Sequence, residues 1–261
     1  MTLQASGQIT LDNIQTEHGG ANPINMNEYY KNGTYIKNYG PNTGMPTSGA
    51  ISMNNFYSTR YIPEPTITFG GHVNSTSRTL SLGTAPADGN RIVYVATGSE
   101  NDSAGQMSAT PQINGVNANV VYRPNISDTT GHFWALVPTG TSCTISYSQY
   151  GGGSHVAWIL TGVNTLEQGT AIGNTAFTFS SLANYPQCVV CCNRSRGSRG
   201  SQSFTTSGGW ASSQSDGYFN NGGGGNYSIG YGHGITNGTG SNITGTLSGG
   251  DAGYAAVFRL L

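Results

Sequence analysis

Charge is the scarcest property of this chain. Only 8% of its 261 residues are charged, against roughly a quarter in ordinary soluble proteins, and the formal net charge is -1. Because phosphate binding needs a basic excess or a basic stripe, this balance argues against DNA or RNA as the main partner. The arginine cluster formed by Arg194, Arg196 and Arg199 lies in a Gly/Ser segment, and we interpret it as a solvated loop.

Signals for export and for membrane insertion are also lacking. The first basic side chain is Lys31, and no apolar stretch follows Met1, so we expect no signal peptide. No run approaches the roughly 18 apolar residues that a membrane span requires. The sequence therefore predicts a chain that is made in the cytosol, is not inserted into a membrane, and is released by other means such as cell lysis.

Cysteine is sparse, with four residues, three of them in Cys188-Val-Val-Cys191-Cys192. A zinc site would need a second pair of ligands at a matching spacing, and none follows. The two valines favour a strand in which these thiols pack as small hydrophobic side chains. We therefore predict no metal, no cofactor and no disulfide.

No catalytic constellation stands out. The five histidines are isolated, and neither a nucleophile elbow nor a phosphate-binding loop is present. Glycoside hydrolysis needs two carboxylates that face each other across a cleft. A pair such as Glu100 and Asp216 is an open alternative that nothing else in the sequence favours. We predict that the chain is not an enzyme.

The abundant residues are Gly, with 40 copies, Tyr, with 15, and Asn, Ser and Thr. Ser, Asn and Gly favour turns over helix interiors, whereas Tyr, Val, Ile and Thr suit a half-buried pleated sheet. Disorder is the competing interpretation of so much glycine, but disordered chains usually combine high net charge with few aromatics. The composition therefore predicts an all-β fold with long turns.

Short β-type runs alternate with turn signals such as Asp88-Gly89 and Asn114-Gly115 after the linker Pro63-Glu64-Pro65. The predicted strands are residues 66–69, 78–82, 91–97, 112–113, 118–122, 132–137, 143–147, 156–160, 176–179, 187–192 and 254–261. This pattern predicts one β-sandwich domain, of jelly-roll type, over residues 63–261.

Residues 195–250 are rich in glycine and punctuated by aromatics. A loop of this length inside a compact domain is uncommon, and we interpret it as an ordered excursion from the sandwich. Aromatic side chains in concave loops suit the faces of sugars. The candidate receptor contacts are Trp210, Tyr218, Tyr227 and Tyr231. The alternative is that these rings only pack the loop onto the sandwich.

Residues 1–62 form a separate small module with an internal repeat. The segment Ser6-Gly-Gln-Ile-Thr-Leu-Asp-Asn-Ile14 recurs as Ser48-Gly-Ala-Ile-Ser-Met-Asn-Asn-Phe56. In each copy a Thr or Ser, Thr10 or Ser52, is placed to cap a short helix. Between the copies, Asn25 and Glu28 form a variant capping box, and residues 34–36 are predicted to be a strand.

These motifs, with Met26-Asn-Glu-Tyr-Tyr30 between them, resemble a module near the N-terminus of many tailed-bacteriophage virion proteins of tail-fibre or minor-tail type. The resemblance covers about residues 1–60 and implies attachment to the particle. The implied attachment residues are Glu28, Tyr29, Tyr30, Ile51, Met53 and Phe56. The alternative, that they form only the module's own core, stays open. Residues 91–96, 137–141 and 156–163 are similar to β-sandwich domains of phage and bacterial surface proteins.

The resemblance implies a structural virion protein of a fibre, baseplate or tail tip that displays a sandwich for host-surface binding. Other virion proteins would be its partners, and a host surface polysaccharide would be its receptor. We also expect a homo-oligomer, first of all a trimer, since phage appendages are usually symmetric. A purely architectural capsid or connector protein is the alternative, and a polysaccharide depolymerase is disfavoured because no solenoid period is seen.

Overall fold

The computed structural model describes residues 2–37, 40–99, 110–122, 131–148, 153–173, 176–196, 203–221, 227–240, 242–248 and 252–260. The chain divides into two compact units. One unit is Met1–Pro63 together with Ala183–Tyr185, and the other is Glu64–Leu182 with Pro186–Leu261. The division between Pro63 and Glu64 lies within the proline-rich linker.

The N-terminal module contains one α-helix, α1 (Leu11–His18), and three short 3-10 helices, Met26–Tyr29, Gly40–Gly44 and Met53–Phe56. They surround a small core that includes Ile14, Tyr29 and Phe56, all fully buried. The strand predicted at residues 34–36 is wrong. Only an isolated bridge between Lys31 and Ile36 forms there, because the short segment has no neighbouring strand to extend the ladder.

The second unit is built from strands, which confirms the all-β prediction. Described in chain order, the strands are β1 (Thr66–Val73), β2 (Ser77–Ser81), β3 (Arg91–Ser99), β4 (Gln112–Ile113), β5 (Val116–Asn117), β6 (Asn119–Tyr122), β7 (Gly131–Leu136), β8 (Ser142–Ser146), β9 (Gly153–Thr161), β10 (Thr165–Gly173), β11 (Ala176–Phe179), β12 (Cys188–Arg196), β13 (Phe204–Ser207), β14 (Trp210–Asn221), β15 (Tyr227–Thr236), β16 (Ile243–Leu247) and β17 (Ala252–Arg259).

These strands form four antiparallel sheets. The first inner sheet has the order β1-β9-β3-β7-β6, and the first outer sheet has the order β2-β8-β4-β5. The second inner sheet has the order β10-β17-β12-β15-β14, and the second outer sheet has the order β11-β16-β13. Every pairing between neighbouring strands is antiparallel.

Three apolar clusters stack the sheets into four layers. Val93 and Val95 of the first inner sheet pack with Ile145 of the first outer sheet. The opposite face of that inner sheet packs against the second inner sheet, in a central cluster that includes Trp158 and Phe258. Beyond it, the far face of the second inner sheet packs against the second outer sheet in a cluster of its own. The central strands of both inner sheets, such as β3 and β12, are therefore buried on both faces.

The two sheet pairs repeat one topology. The two inner sheets correspond strand for strand: the order β1-β9-β3-β7-β6 in the first matches the order β10-β17-β12-β15-β14 in the second. The order β2-β8-β4 in the first outer sheet becomes β11-β16-β13 in the second. The spacing repeats as well, since β9 begins 87 residues after Thr66 and β17 begins 87 residues after Thr165.

A pair of backbone hydrogen bonds fixes which residues are equivalent. The amide of Val137 donates to the carbonyl of Arg91 (2.8 Å), and that of Thr236 donates to the carbonyl of Gln187 (3.0 Å). Arg91 and Gln187 are both fully buried at the start of β3 and β12. The Arg91 guanidinium donates to the carbonyls of the adjoining turns, those of Thr84, Val137, Thr139 and Gly140. Its buried charge is therefore satisfied by backbone dipoles.

Two predictions about this unit were wrong. It holds two sheet pairs, where one sandwich was expected, and residues 195–250 are not an excursion. Four strands, β13 to β16, lie within that segment and the end of β12 overlaps it. Strand β15 is paired on both sides, with β12 and β14. The error arose because alternating glycines resemble a loop in sequence.

The glycines of this segment serve close packing of aromatic rings. A Cβ on Gly232 would lie 2.6 Å from Cβ of Phe204, and one on Gly245 would lie 2.3 Å from Cζ of Phe177. A Cβ on Gly234 would lie 2.5 Å from Cζ3 of Trp210. Rings therefore lie directly against strand backbone, as when an aromatic side chain covers a glycine in a sheet.

This packing predicts that Gly245→Ala destabilises the second sheet pair by about 1–3 kcal/mol, because the methyl group overlaps the Phe177 ring. Urea unfolding would measure the loss as a lower midpoint at unchanged slope. Thr246→Ala, at the next position and on the opposite face of β16, is the matched control and should change the midpoint far less. Equal midpoints for Gly245→Ala and the native chain would contradict the packing argument.

Candidate functional site

The repeat in the N-terminal module builds two matching corners. In the first, Oδ1 of Asn13 accepts hydrogen bonds from the amide and hydroxyl of Thr10 (3.0 and 2.9 Å). In the second, Oδ1 of Asn55 accepts the same two bonds from Ser52 (2.8 and 3.1 Å). Thr10 and Ser52 both occupy the predicted N-cap positions, and the Thr10 hydroxyl caps the amide of Asn13 (3.2 Å), whereas the Ser52 hydroxyl makes no such bond. Their asparagine partners were missed, although both copies of the repeat carry them.

The corners differ in the turn that follows. The carbonyl of Thr10 accepts from the amide of Ile14, four residues on, which begins an α-helix. The carbonyl of Ser52 accepts from the amide of Asn55, three residues on, which gives the tighter 3-10 turn. The two copies therefore share an N-terminal cap but continue into helices of different length.

A tyrosine hydroxyl closes each corner. Tyr57 donates to the carbonyl of Gly7, and Tyr30 donates to the carbonyl of Gly49. Both glycines have positive φ, 97° and 85°, a region that glycine adopts readily. The glycine of each Ser-Gly dipeptide therefore makes a turn in which its carbonyl accepts a hydrogen bond from a tyrosine hydroxyl.

The six predicted attachment residues fall into two groups. Tyr29 and Phe56 have no exposed surface, and their rings meet edge to face at 6.0 Å, so they form the module's own core. Glu28, Tyr30, Ile51 and Met53 are half-buried. Only this second group presents surface that a partner could contact.

A groove of about 240 Å³ runs beside α1 in the same module. It is lined by Thr2, Leu3, Gln4, Ile9, Asn13, Thr16 and Glu17. None of the six predicted attachment residues lines it, so the sequence prediction and this concavity mark different parts of the module.

The structure describes the side chains of two of the four predicted receptor contacts, Trp210 and Tyr231, and these two do not form an exposed site. Tyr231 is buried in the central cluster and stacks on Phe69 at 5.3 Å. Trp210 is half-buried against Phe204, and its indole donates to the carbonyl of Thr244 (3.1 Å). The side chains of Tyr218 and Tyr227 lie outside the described residues. Tyr231 and Trp210 therefore contribute to packing, which was the alternative interpretation of these rings.

Several histidines are buried in the described part of the chain. Desolvation lowers the pKa of His18 and of His155 to about 4, and that of His132 to about 3. His132 Nδ1 shares a hydrogen bond of 2.8 Å with the hydroxyl of Tyr94, whose pKa burial raises. These imidazoles are therefore neutral at pH 7.

All four cysteines are buried and form no disulfide among the described residues, and Cys188, Cys191 and Cys192 pack within a strand as predicted. Burial raises the pKa of Cys188, Cys191 and Cys192, and raises that of Cys143 to about 11, so the thiols are protonated at neutral pH. Among the described residues no group of three or more potential metal ligands is found. No helix in this part of the chain is long and apolar enough to cross a membrane.

Of the carboxylate pair Glu100 and Asp216, one residue lies in the described part of the chain. Glu100 lies outside the described residues, whereas Asp216 has a side chain with no exposed surface. Its Oδ2 lies 2.6 Å from Nδ1 of His233 and accepts a hydrogen bond from the indole of Trp158 (2.8 Å). A buried carboxylate of this kind does not line a cleft for a sugar chain.

Comparison with known proteins yields no relative: the chain matches no family model, no curated protein and no solved structure.

The buried histidines predict acid sensitivity. A buried histidine has a lower pKa in the folded chain than in the unfolded chain, where it is near 6.5. Its contribution to stability is therefore complete above pH 6.5 and is lost as the pH falls toward the pKa of the folded state, because only the unfolded chain binds the proton. For His132 we expect a loss of about 1–2 kcal/mol in unfolding free energy between pH 7 and pH 5. Denaturant titrations at the two pH values measure it. His132→Gln should show a smaller difference, and an unchanged difference would contradict this role.

Proposed function

We propose that the chain is a non-enzymatic structural component of a tailed-bacteriophage particle, of tail-fibre, baseplate or tail-tip type. The observation that carries the proposal is the joining of a small capped module, with the repeat motifs of phage virion proteins, to a duplicated all-β unit. The proposed location is the virion, with synthesis in the host cytoplasm and release by lysis.

We further propose that each sheet pair is a jelly roll. With β6 set aside as an added edge strand, the first pair has eight strands, and its last strand, β9, lies beside its first, β1. Strands β3 and β7 follow in the inner sheet, and the outer sheet has the order β2, β8, β4 and β5. This order supports two interleaved Greek keys. Jelly rolls are common in viral capsid proteins and lectins, which fits the proposed role.

Attachment to the particle is assigned to the N-terminal module. Ile51 and Met53 are half-buried apolar residues beside the second corner, and Tyr30 closes that corner. Small modules bury little surface by themselves, so apolar side chains that remain partly exposed favour a protein partner. Other virion proteins are the proposed partners, within a homo-oligomer for which a trimer is our first expectation.

A second candidate function is purely architectural, without a receptor. It is favoured by the burial of Tyr231, which removes one of the four expected receptor contacts from the accessible surface, and by the packing of Trp210 against Phe204. Under the first proposal, Tyr218 and Tyr227 remain the predicted contacts with a host surface polysaccharide.

Incorporation into particles tests the attachment proposal. Ile51→Ser with Met53→Ser should keep the fold but reduce the chain to background in purified particles, because both substitutions remove apolar contact with the partner. Quantitative immunoblotting of the particles is the measurement. Val116→Ser, at a residue 66% exposed on β5, is the control and should leave incorporation unchanged. Native chain missing from all purified particles would reject the virion role itself.

Binding to intact host cells separates the two candidate functions. A receptor-binding protein should bind saturably, and Tyr218→Ala with Tyr227→Ala should weaken that binding at unchanged thermal stability. Failure of the folded, particle-competent protein to bind cells would reject the receptor role and leave the architectural one.

A further inference from the structure

A β-bulge turns one carboxylate into the middle of the second unit. Along β14, Ser215 pairs with Gly232 and Gly217 pairs with Tyr231, so Asp216 is the extra residue between two ladder positions. A bulge of this kind re-aims a side chain. Here it directs Asp216 toward the apolar cluster between the two inner sheets, where its side chain has no exposed surface.

The carboxylate links the two sheet pairs. Its Oδ2 accepts from Nε1 of Trp158, on β9 of the first inner sheet, and pairs with Nδ1 of His233, on β15 of the second. Trp158 is itself fully buried, with the rings of Phe69 and Tyr94 each 6.0 Å from its own. A directional polar contact therefore crosses an interface whose cluster of buried side chains is mainly apolar. Another hydrogen bond across it is a long one of 3.5 Å, from the thiol of Cys188 to the carbonyl of Thr66.

The first sheet pair has the same bulge without the carboxylate. Along β6, Val120 pairs with Phe133 and Tyr122 pairs with His132, which leaves Val121 as the extra residue. Since Val137 and Thr236 are equivalent, Trp134 is equivalent to His233, and Val121 is equivalent to Asp216. Val121 packs against the central cluster as a hydrophobic side chain. The bulge thus belongs to the repeated topology, and the carboxylate belongs to the second copy alone.

We propose that Asp216 is a polar lock that fixes the second sheet pair in one orientation on the first. Apolar contact between two sheets is non-directional and tolerates sliding. A buried carboxyl group does not, because any shift that separates it from Trp158 and His233 leaves a desolvated polar group without those hydrogen-bond partners. A single buried polar residue sets the register of coiled coils by the same physics.

The indole N–H signals in a ¹⁵N NMR spectrum test the contact directly. The three indoles have different environments: Trp158 donates to a carboxylate, Trp210 donates to a carbonyl, and Nε1 of Trp134 is buried without a partner among the described residues. Asp216→Leu should shift the Trp158 signal strongly upfield and leave the Trp210 signal in place, with Trp158→Phe providing the assignment. An unmoved Trp158 signal would overturn the proposal.

A double-mutant cycle tests the energetic link. Asp216→Asn retains one acceptor oxygen, so it is expected to fold and to lower the melting temperature by about 5 °C. In a Trp158→Phe background the same substitution should lower it by half as much or less, because the bond it weakens is already lost. Equal losses in the two backgrounds would reject the lock.

Val121→Ala, at the equivalent bulge, provides the matched control. It removes apolar contact but no hydrogen bond, so its effect should be the same in the native and Trp158→Phe backgrounds. If Val121→Ala showed the same non-additivity as Asp216→Asn, general packing would explain the coupling and the lock would be rejected.

Discussion

Burial of the central strands of the two inner sheets on both faces is the constraint on which the rest of this structure depends. A strand covered on one face alternates apolar and polar residues, but a strand covered on both must be apolar throughout. Residues 92–96 of β3 and 188–192 of β12 are at most 1% exposed. The low charge of the chain follows from this layering, because few positions in four stacked sheets tolerate a charge.

The same burial sets the chemistry of the polar groups that remain. Four backbone carbonyls accept the N–H groups of buried Arg91, whereas burial lowers the pKa of His132, whose imidazole is hydrogen-bonded to Tyr94. Large aromatic rings are accommodated by glycines, which have no side chain and so let Phe177 and Phe204 lie against strand backbone. Polar, ionisable and aromatic side chains inside this unit thus serve packing, and the N-terminal module keeps the half-buried surface that suits a partner.

Much of the fold could be predicted where residue type and period agree. Runs such as residues 91–97 and 156–160 are β-branched and aromatic, and both are strands. Strand β15 was missed because Gly230, Gly232 and Gly234 alternate along it, and only the structure shows that the rings of Phe204 and Trp210 lie against Gly232 and Gly234. The duplication was missed because equivalent residues differ in chemistry. In the module, Thr10 and Ser52 revealed the helix caps, but sequence could not separate core Tyr29 from half-buried Tyr30.

The face-to-face contact between equivalent inner sheets has a consequence for how such a chain evolves. Two identical copies that meet through the same surface form an isologous dimer, in which every residue at the interface occurs twice. A buried acid near such an axis would bring a second buried acid with it. Covalent joining of the copies removes that restriction, so one half can carry Asp216 while the other keeps Val121. Asymmetry at this interface is therefore a property that only the fused chain can acquire.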